Sequence, residues 1–164
     1  MNFRHQTPLW QRYKKYKGIV STDQERISAQ DYFFDGSGRT PRYYQQIAIN
    51  RAVEAIAKGQ ERILLTMATG TGKTYAAFQI MHRLWKSGTK KRILFLADRN
   101  ALIDQARRGD LRHFKDKMTV IRKKKIDKSY EIYLALYQGL THYDEDKDAY
   151  REFSPGFFDL IIID

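Results

Sequence analysis

The sequence predicts an α/β fold in which helices flank a parallel β-sheet. Short apolar runs of strand length alternate with longer segments that carry apolar residues at helical spacing, and the first two runs lead directly into such segments. Strands joined by helices lie parallel, because a helical crossover returns the chain to the same end of the sheet. The predicted strands are residues 62–66, 92–97, 131–136 and 159–163, with residues 118–121 as a weaker candidate.

Helices are predicted before the first strand and after the first two. Thr40 is a plausible N-cap, Pro41 suits the first helical position, and apolar residues then recur at helical spacing until Gly59. The two later helices span 73–85, stopping at a Ser-Gly pair, and 100–108.

The region before Thr40 has a different character. It is polar, aromatic and weakly periodic, and it ends in the glycine-rich sequence DGSGR at residues 35–39, which is typical of a turn or linker. We therefore expect an N-terminal basic and aromatic segment with a linker, residues 1–39, followed by an α/β lobe, residues 40–164.

Composition excludes several classes of protein. The 164 residues carry a net charge of +11, contain no cysteine, and have no apolar run near the roughly 18 residues of a membrane span. The first 20 residues lack the apolar core of a secretory signal, so a cytoplasmic setting is expected. Without cysteine the chain has no disulfide framework, thiolate metal site or cysteine nucleophile.

The positive charge is concentrated in two segments. Between residues 107 and 128, ten basic residues stand against three acidic ones, and residues 4–17 form a second basic cluster interleaved with Trp10, Tyr13 and Tyr16. Such clusters favour a polyanion such as DNA. A solvated face that only keeps the chain soluble is an equally acceptable reading of either segment.

The turn after the first predicted strand, residues 67–74, reads MATGTGKT. Gly70 and Gly72 allow backbone conformations and close approaches that a Cβ would prevent, so their amides can meet a phosphate chain at the start of a helix. Lys73 can reach the β and γ phosphates, and Thr74 offers a hydroxyl to Mg²⁺. The pattern predicts an ATP and Mg²⁺ site, although Met67 stands where the general pattern has glycine.

Asp164 is the predicted second ligand of the metal. It follows the apolar run of residues 159–163, and a nucleotide-binding loop needs such a carboxylate at the end of a neighbouring strand. Alone it would read as a solvated terminal residue, but together with the loop the metal-binding role is favoured. Asp159, before the same run, is interpreted as a turn or surface residue.

With these motifs in hand, the region from Tyr32 to Asp164 resembles superfamily 2 helicases and translocases, and within them the R (HsdR) subunit of type I restriction enzymes. Five motifs occur in the order of that family. They are the adenine-recognising Q-motif region (34–56), motif I with its methionine (64–74), motif Ia (95–105), the next DNA-facing motif (134–140) and the front of the D-E-x-H box (157–164).

The resemblance implies a RecA-like lobe of a P-loop NTPase that is incomplete at its C-terminus. It implies an ATP-dependent DNA translocase and endonuclease subunit, with double-stranded DNA and the modification and specificity subunits as partners. Lys73 and Asp164 would be catalytic. The nucleotide would be bound by Arg42, Tyr44, Gln45, Thr69, Gly70, Thr71, Gly72, Lys73 and Thr74, the metal by Thr74 and Asp164, and DNA by Arg99, Asn100 and Gln138.

Several of these roles have ordinary alternatives. Asn100 could instead cap its helix with Arg99 solvated, and Arg42 could be a surface arginine at a helix start. Tyr43 and Tyr44 are more often packing residues than base stackers.

The chain departs from the family's pattern after Asp164, where the family's next residue is the glutamate that activates water. The second motor lobe and the nuclease domain have no counterpart either. We therefore expect weak nucleotide binding with negligible turnover, and an exposed apolar sheet edge that favours aggregation. A small P-loop kinase and a non-enzymatic DNA-binding remnant are the competing functions. The kinase is disfavoured because 66 residues precede Met67.

Overall fold

A parallel sheet forms the centre of the molecule. The computed structural model describes residues 8–121, 126–140 and 149–164, and within these ranges four strands pair in the order β2-β3-β1-β4, every pair parallel. The predicted α/β class is therefore confirmed, including the weaker strand candidate. The strands are β1 Ile93–Ala97, β2 Met118–Ile121, β3 Ile132–Leu136 and β4 Leu160–Ile163.

Helices precede and connect these strands. The two later helices were predicted within a residue of their observed ends, whereas the first begins at Tyr43, because Arg42 and not Thr40 is its N-cap. The α-helices are α1 Pro8–Lys17, α2 Thr22–Ser28, α3 Tyr43–Ala57, α4 Lys73–Lys86, α5 Asn100–Arg108 and α6 Tyr137–Leu140, and 3₁₀-helices span Asp110–Lys117 and Ala149–Glu152. Within the described ranges, no helix is long and apolar enough to cross a membrane.

The two inner strands bury both of their faces. One face of β1 and β3 packs with α4, α5 and the first 3₁₀-helix around Phe78, Phe95 and Phe114. The other face packs with Phe157 and Leu140 around the buried Tyr133. A separate cluster joins α2, α3 and α4 and includes the fully buried Ile49 and Val53. These contacts fix α4 against the sheet, and α4 begins at the glycine-rich loop.

The predicted first strand is wrong. Among the described residues, residues 62–66 pair with no strand, and Leu64 is 90% exposed. A strand requires a neighbour for its backbone groups, and an apolar run alone does not supply one. A cleft of about 800 Å³, lined also by residues of α3 and α4, lies between residues 59–67 and β4.

The N-terminal helices α1 and α2 were not predicted. Trp10 Nε1 and Lys14 Nζ both donate to the carboxylate of Glu25, at 2.8 and 2.7 Å, while Tyr13 and Lys17 both contact Glu54 of α3. Helix α1 is therefore attached to α2 and α3 through polar contacts, whereas α2 also packs against α3 and α4 through the buried Ile27. Residues 4–7 of the first predicted basic cluster and residues 122–125 of the second lie outside the described ranges.

Candidate functional site

The glycine-rich loop has the conformation that its sequence predicts. Gly70 has φ 79° and Gly72 has φ 81°, in the left-handed region that residues with a Cβ rarely adopt. Thr71 closes a turn within the loop, because its backbone N–H and its hydroxyl both donate to Ala68 O, at 3.3 and 2.6 Å. Thr69 lies exposed in the same turn.

The loop ends at the N-terminus of α4, where Gly72 is the N-cap residue. The first amides of a helix have no partner within the helix, and the helix dipole makes this end positive, so an anion is stabilised there. Lys73 is the first residue of α4 and is exposed. It forms no ion pair with any residue in the described parts of the chain, so its ammonium group is available to an anion.

The two predicted metal ligands lie side by side. Thr74 Oγ1 donates a hydrogen bond of 3.3 Å to Asp164 Oδ2, although 90 residues separate them in sequence. Asp164 is positioned by its own backbone, because its N–H donates to Leu96 O of the neighbouring strand at 2.9 Å. One hydroxyl and one carboxylate fit Mg²⁺, which keeps several waters and takes phosphate oxygens as its remaining ligands.

No cluster of three or more His, Asp or Glu side chains able to hold a metal occurs in the described part of the chain. A cage made by protein ligands alone is therefore absent from these ranges. The Thr74 and Asp164 pair instead suits a metal that arrives with a phosphate chain.

The residues predicted to recognise adenine lie against this loop. Gln45 is buried and its Nε2 donates to Thr71 O at 2.8 Å, and the Tyr44 hydroxyl donates to the same oxygen at 3.3 Å. Arg42 Nη1 reaches the Tyr44 hydroxyl at 3.5 Å. The structure therefore brings all three together at the loop.

Both tyrosines at the start of α3 are exposed. Tyr43 is 79% exposed and Tyr44 is 41% exposed, so neither lies in the core of the described part of the chain. Arg42 is indeed an exposed residue at a helix start, as its alternative expected.

The predicted DNA-contacting residues lie at the carboxyl ends of the strands. Arg99 and Asn100 follow β1, and Gln138 follows β3. Parallel strands present their carboxyl ends at the same edge, so these residues share that edge with Asp164. Asn100 does not cap its helix. Arg99 is the N-cap residue, and its side chain, 78% exposed, pairs with Asp98 at 3.5 Å.

Asp159 is exposed, as its interpretation as a turn or surface residue expected, and its carboxylate also has a structural role that was not predicted. Its Oδ2 accepts backbone N–H groups from Lys91 and Arg92, at 3.0 and 2.8 Å, and so joins the amino ends of β1 and β4.

Sequence reasoning missed Arg39, which it assigned to the linker. The Arg39 guanidinium lies 4.0 Å from the ring centroid of Tyr75, beside Thr74, and pairs with Asp110 at 2.6 Å. Burial raises the pKa of the Tyr75 hydroxyl. The only sequence signal was an arginine at the end of a glycine-rich turn, which does not indicate a ring partner.

Comparison with known proteins identifies the family of the chain. The chain belongs to the family described as type III restriction enzyme, res subunit, which matches residues 39–164. The endonuclease subunit of the type I restriction enzyme EcoAI from Escherichia coli is 53% identical over 163 residues, which are 99% of this chain and 20% of that protein. The EcoKI endonuclease subunit from E. coli strain K12 is 41% identical over 108 residues, 64% of this chain and 9% of that protein.

The chain thus spans about a fifth of the length of the first relative. No solved structure gives a significant match. The resemblance to the restriction subunits of type I enzymes and the fold class, a RecA-like parallel sheet flanked by helices, are both confirmed. Residues 39–164 thus correspond to the helicase-like region of this restriction-enzyme family.

Proposed function

We propose that this chain forms the ATP-binding lobe of an ATP-dependent DNA translocase motor in the restriction subunit of a type I restriction-modification system. The observation that carries the proposal is the contact between Thr74 and Asp164 beside a glycine-rich loop at a helix N-terminus. The lobe would comprise residues 40–164, with residues 1–39 as an attached basic and aromatic segment.

Each residue of the site has a defined task in this proposal. The loop amides from Thr69 to Gly72 and the Lys73 ammonium bind the phosphate chain, because a helix N-terminus and a lysine both stabilise negative charge. Thr74 and Asp164 hold Mg²⁺, which when bound neutralises charge on the β and γ phosphates. Arg42, Tyr44 and Gln45 form the adenine side of the site.

Binding and turnover are separate expectations. Phosphoryl transfer needs several electrostatic groups to act together. We expect these 164 residues to bind nucleotide weakly and to turn it over negligibly. DNA-stimulated hydrolysis by the purified chain that is lost in Lys73→Ala would contradict this expectation.

Titration with MgATP tests the binding role. Lys73→Ala should abolish measurable binding, because the loop loses its only charged side chain. Lys86→Ala, at the opposite end of the same helix, is the matched control and should bind like the unmodified chain. Equal affinities for all three proteins would refute the proposal.

Double-stranded DNA is the proposed second ligand. Its proposed contacts are Arg99, Asn100 and Gln138, which follow the carboxyl ends of β1 and β3. Phosphate contacts predict that DNA affinity falls steeply as salt rises, and that Arg99→Ala lowers the slope by about one counterion. DNA binding that is insensitive to salt would contradict these contacts.

DNA binding without nucleotide binding would instead indicate a non-enzymatic remnant. Modification and specificity subunits are the proposed protein partners.

A further inference from the structure

Gln45 occupies a position that connects α3 to the glycine-rich loop. Its side chain is only 6% exposed, and both ends of its amide are already in use by the protein. Oε1 accepts the backbone N–H of Arg42 at 2.9 Å, and Nε2 donates to Thr71 O at 2.8 Å. The amide therefore joins the N-terminus of α3 to the loop through one rigid group.

A second contact acts on the same carbonyl. The Tyr44 hydroxyl also donates to Thr71 O, at 3.3 Å, so this oxygen accepts two side-chain hydrogen bonds from neighbouring residues of α3. A carbonyl oxygen has two lone pairs, and both bonds hold it toward α3.

Fixing this carbonyl fixes the amide that follows it. No cis peptide occurs in the described residues, and in a trans peptide the C=O of Thr71 and the N–H of Gly72 point in opposite directions. Holding Thr71 O toward α3 therefore turns the Gly72 N–H away from α3. That N–H stands at the N-terminus of α4, where a phosphate would be received.

Gly72 and Gln45 are also fitted to each other sterically. A Cβ on Gly72 would stand 2.5 Å from Gln45 Nε2, which is closer than non-bonded atoms approach. The absence of a side chain at Gly72 thus serves the contact with Gln45 as well as the left-handed backbone.

We infer that Gln45 is a positioning residue for the phosphate loop, which with Tyr44 orients the Thr71–Gly72 peptide to receive a phosphate chain whatever base is attached. The inference rests on the proposed nucleotide site, within which it assigns Gln45 and Tyr44 to the loop and not to the base. It differs from adenine recognition in a measurable way, because a base reader affects only the nucleotide whose base it contacts, whereas a loop-positioning residue affects every phosphate ligand.

The test compares Mg²⁺ complexes of ATP, GTP and tripolyphosphate, which has no base. Gln45→Glu keeps the acceptor for Arg42 N–H but removes the donor to Thr71 O, and Gln46→Glu is its matched control. Gln46→Glu adds the same charge one residue further on. In the unmodified chain, Gln46 Nε2 donates to Pro41 O and not to the loop. Gln45→Glu should weaken all three ligands by the same factor of about five to ten, since one hydrogen bond contributes that much.

Tyr44→Phe tests the same contact with Thr71 O without changing the buried Gln45, so the test does not depend on the folding of the Gln45 variant. The Tyr44 side chain is partly exposed, and Tyr43→Phe is the matched control. We expect Tyr44→Phe to weaken all three ligands equally, by about threefold. Without any ligand, the amide NMR signals of Thr71 and Gly72 should shift in Tyr44→Phe and Gln45→Glu but not in the controls.

Unchanged tripolyphosphate affinity in Tyr44→Phe and Gln45→Glu, with ATP alone weakened, would overturn the inference and leave the nucleotide site standing. If the unmodified chain binds none of the three ligands, both the inference and the proposed function fail. Binding of all three that is lost in Lys73→Ala, with the expected equal weakening in the Gln45 and Tyr44 variants, supports both.

Discussion

Strand β1 and residues 62–66 are both short runs with one isoleucine and two leucines, but their environments differ. Every residue of Ile93–Ala97 is buried, with parallel neighbours on both sides. The apolar run at 62–66 has no strand neighbour among the described residues, and Leu64 is almost fully exposed. The comparison teaches that an apolar run becomes a buried strand only where the fold supplies partners for its backbone and cover for its faces.

Strand β4 lies between these extremes. One of its sides pairs with β1, while its other side borders the cleft, and its residues alternate between half-buried and exposed. Ile161 is 53% exposed and Ile163 is 71% exposed. The sheet therefore has a stable interior and an apolar edge, and the site residue Asp164 follows the strand at that edge.

Phe95→Ala and Leu64→Ala form the strongest test of this contrast. Phe95 is fully buried in the core beneath α4, so its truncation should lower the free energy of unfolding by about 3–5 kcal/mol. Leu64→Ala should change it by no more than about 0.5 kcal/mol, because Leu64 is exposed. Urea denaturation followed by circular dichroism measures both, and similar losses would contradict the contrast.

His82 reports on the interior through pH. It packs among the rings of Phe33, Phe78 and Phe114, and burial, assisted by Lys86, lowers its pKa from 6.5 to about 4. The unfolded chain thus binds a proton that the folded chain does not. The contribution of the neutral His82 to the free energy of unfolding is fully present above about pH 6.5, and it is lost as the pH falls toward 4.

The expected loss is on the order of 1–2 kcal/mol after allowing for partial solvent screening. His82→Gln should remove this part of the pH dependence, because glutamine does not titrate. His113, which faces the same cluster and lies 3.8 Å from Asp35, is unchanged in that variant. An identical stability profile between pH 4 and 7 in both proteins would contradict the assignment.

Ile163→Lys tests the edge with the smallest effect on folding. A charge on an apolar edge strand opposes edge-to-edge pairing, so self-association should decrease while the free energy of unfolding changes by about 0.5 kcal/mol or less. Val20→Lys adds the same charge at a residue that is 87% exposed and remote from the sheet. Sedimentation velocity over a concentration series compares them. Equal effects of the two substitutions would mean that net charge, and not the edge, controls association.

Much of the fold could be predicted because the signals were local. Helices α4 and α5 follow apolar spacing, and the strands are short apolar runs. Helix α2 carried a readable signal that was missed, a capping box in which Ser21 and Gln24 exchange hydrogen bonds. Helix α1 begins at Pro8, a residue type that suits the first helical position, and this signal was also missed. The attachment of α1 could not be predicted, because it depends on Glu25 and Glu54, which come later in the chain.

The site divides in the same way. Glycine at positions 70 and 72 follows from local backbone chemistry. The approach of Thr74 to Asp164 was expected because a nucleotide-binding loop needs a carboxylate at the end of a neighbouring strand. The contact from Gln45 to Thr71 could not be predicted, since it depends on how α3 is placed against the loop. The neighbours of residues 62–66 are equally non-local, which is why composition alone failed there.

The most direct test of the account is the Mg²⁺ dependence of ATP binding in Asp164→Asn, with Asp159→Asn as its matched control at the other end of β4. Asparagine at 159 keeps an acceptor for the Lys91 and Arg92 amides. The account predicts that Mg²⁺ strengthens ATP binding in the unmodified chain and in Asp159→Asn. In Asp164→Asn the gain should fall by about tenfold or more, since even residues that only orient metal ligands contribute that much. Equal Mg²⁺ dependence in all three proteins would contradict the assignment of Asp164 and, with it, the proposed site.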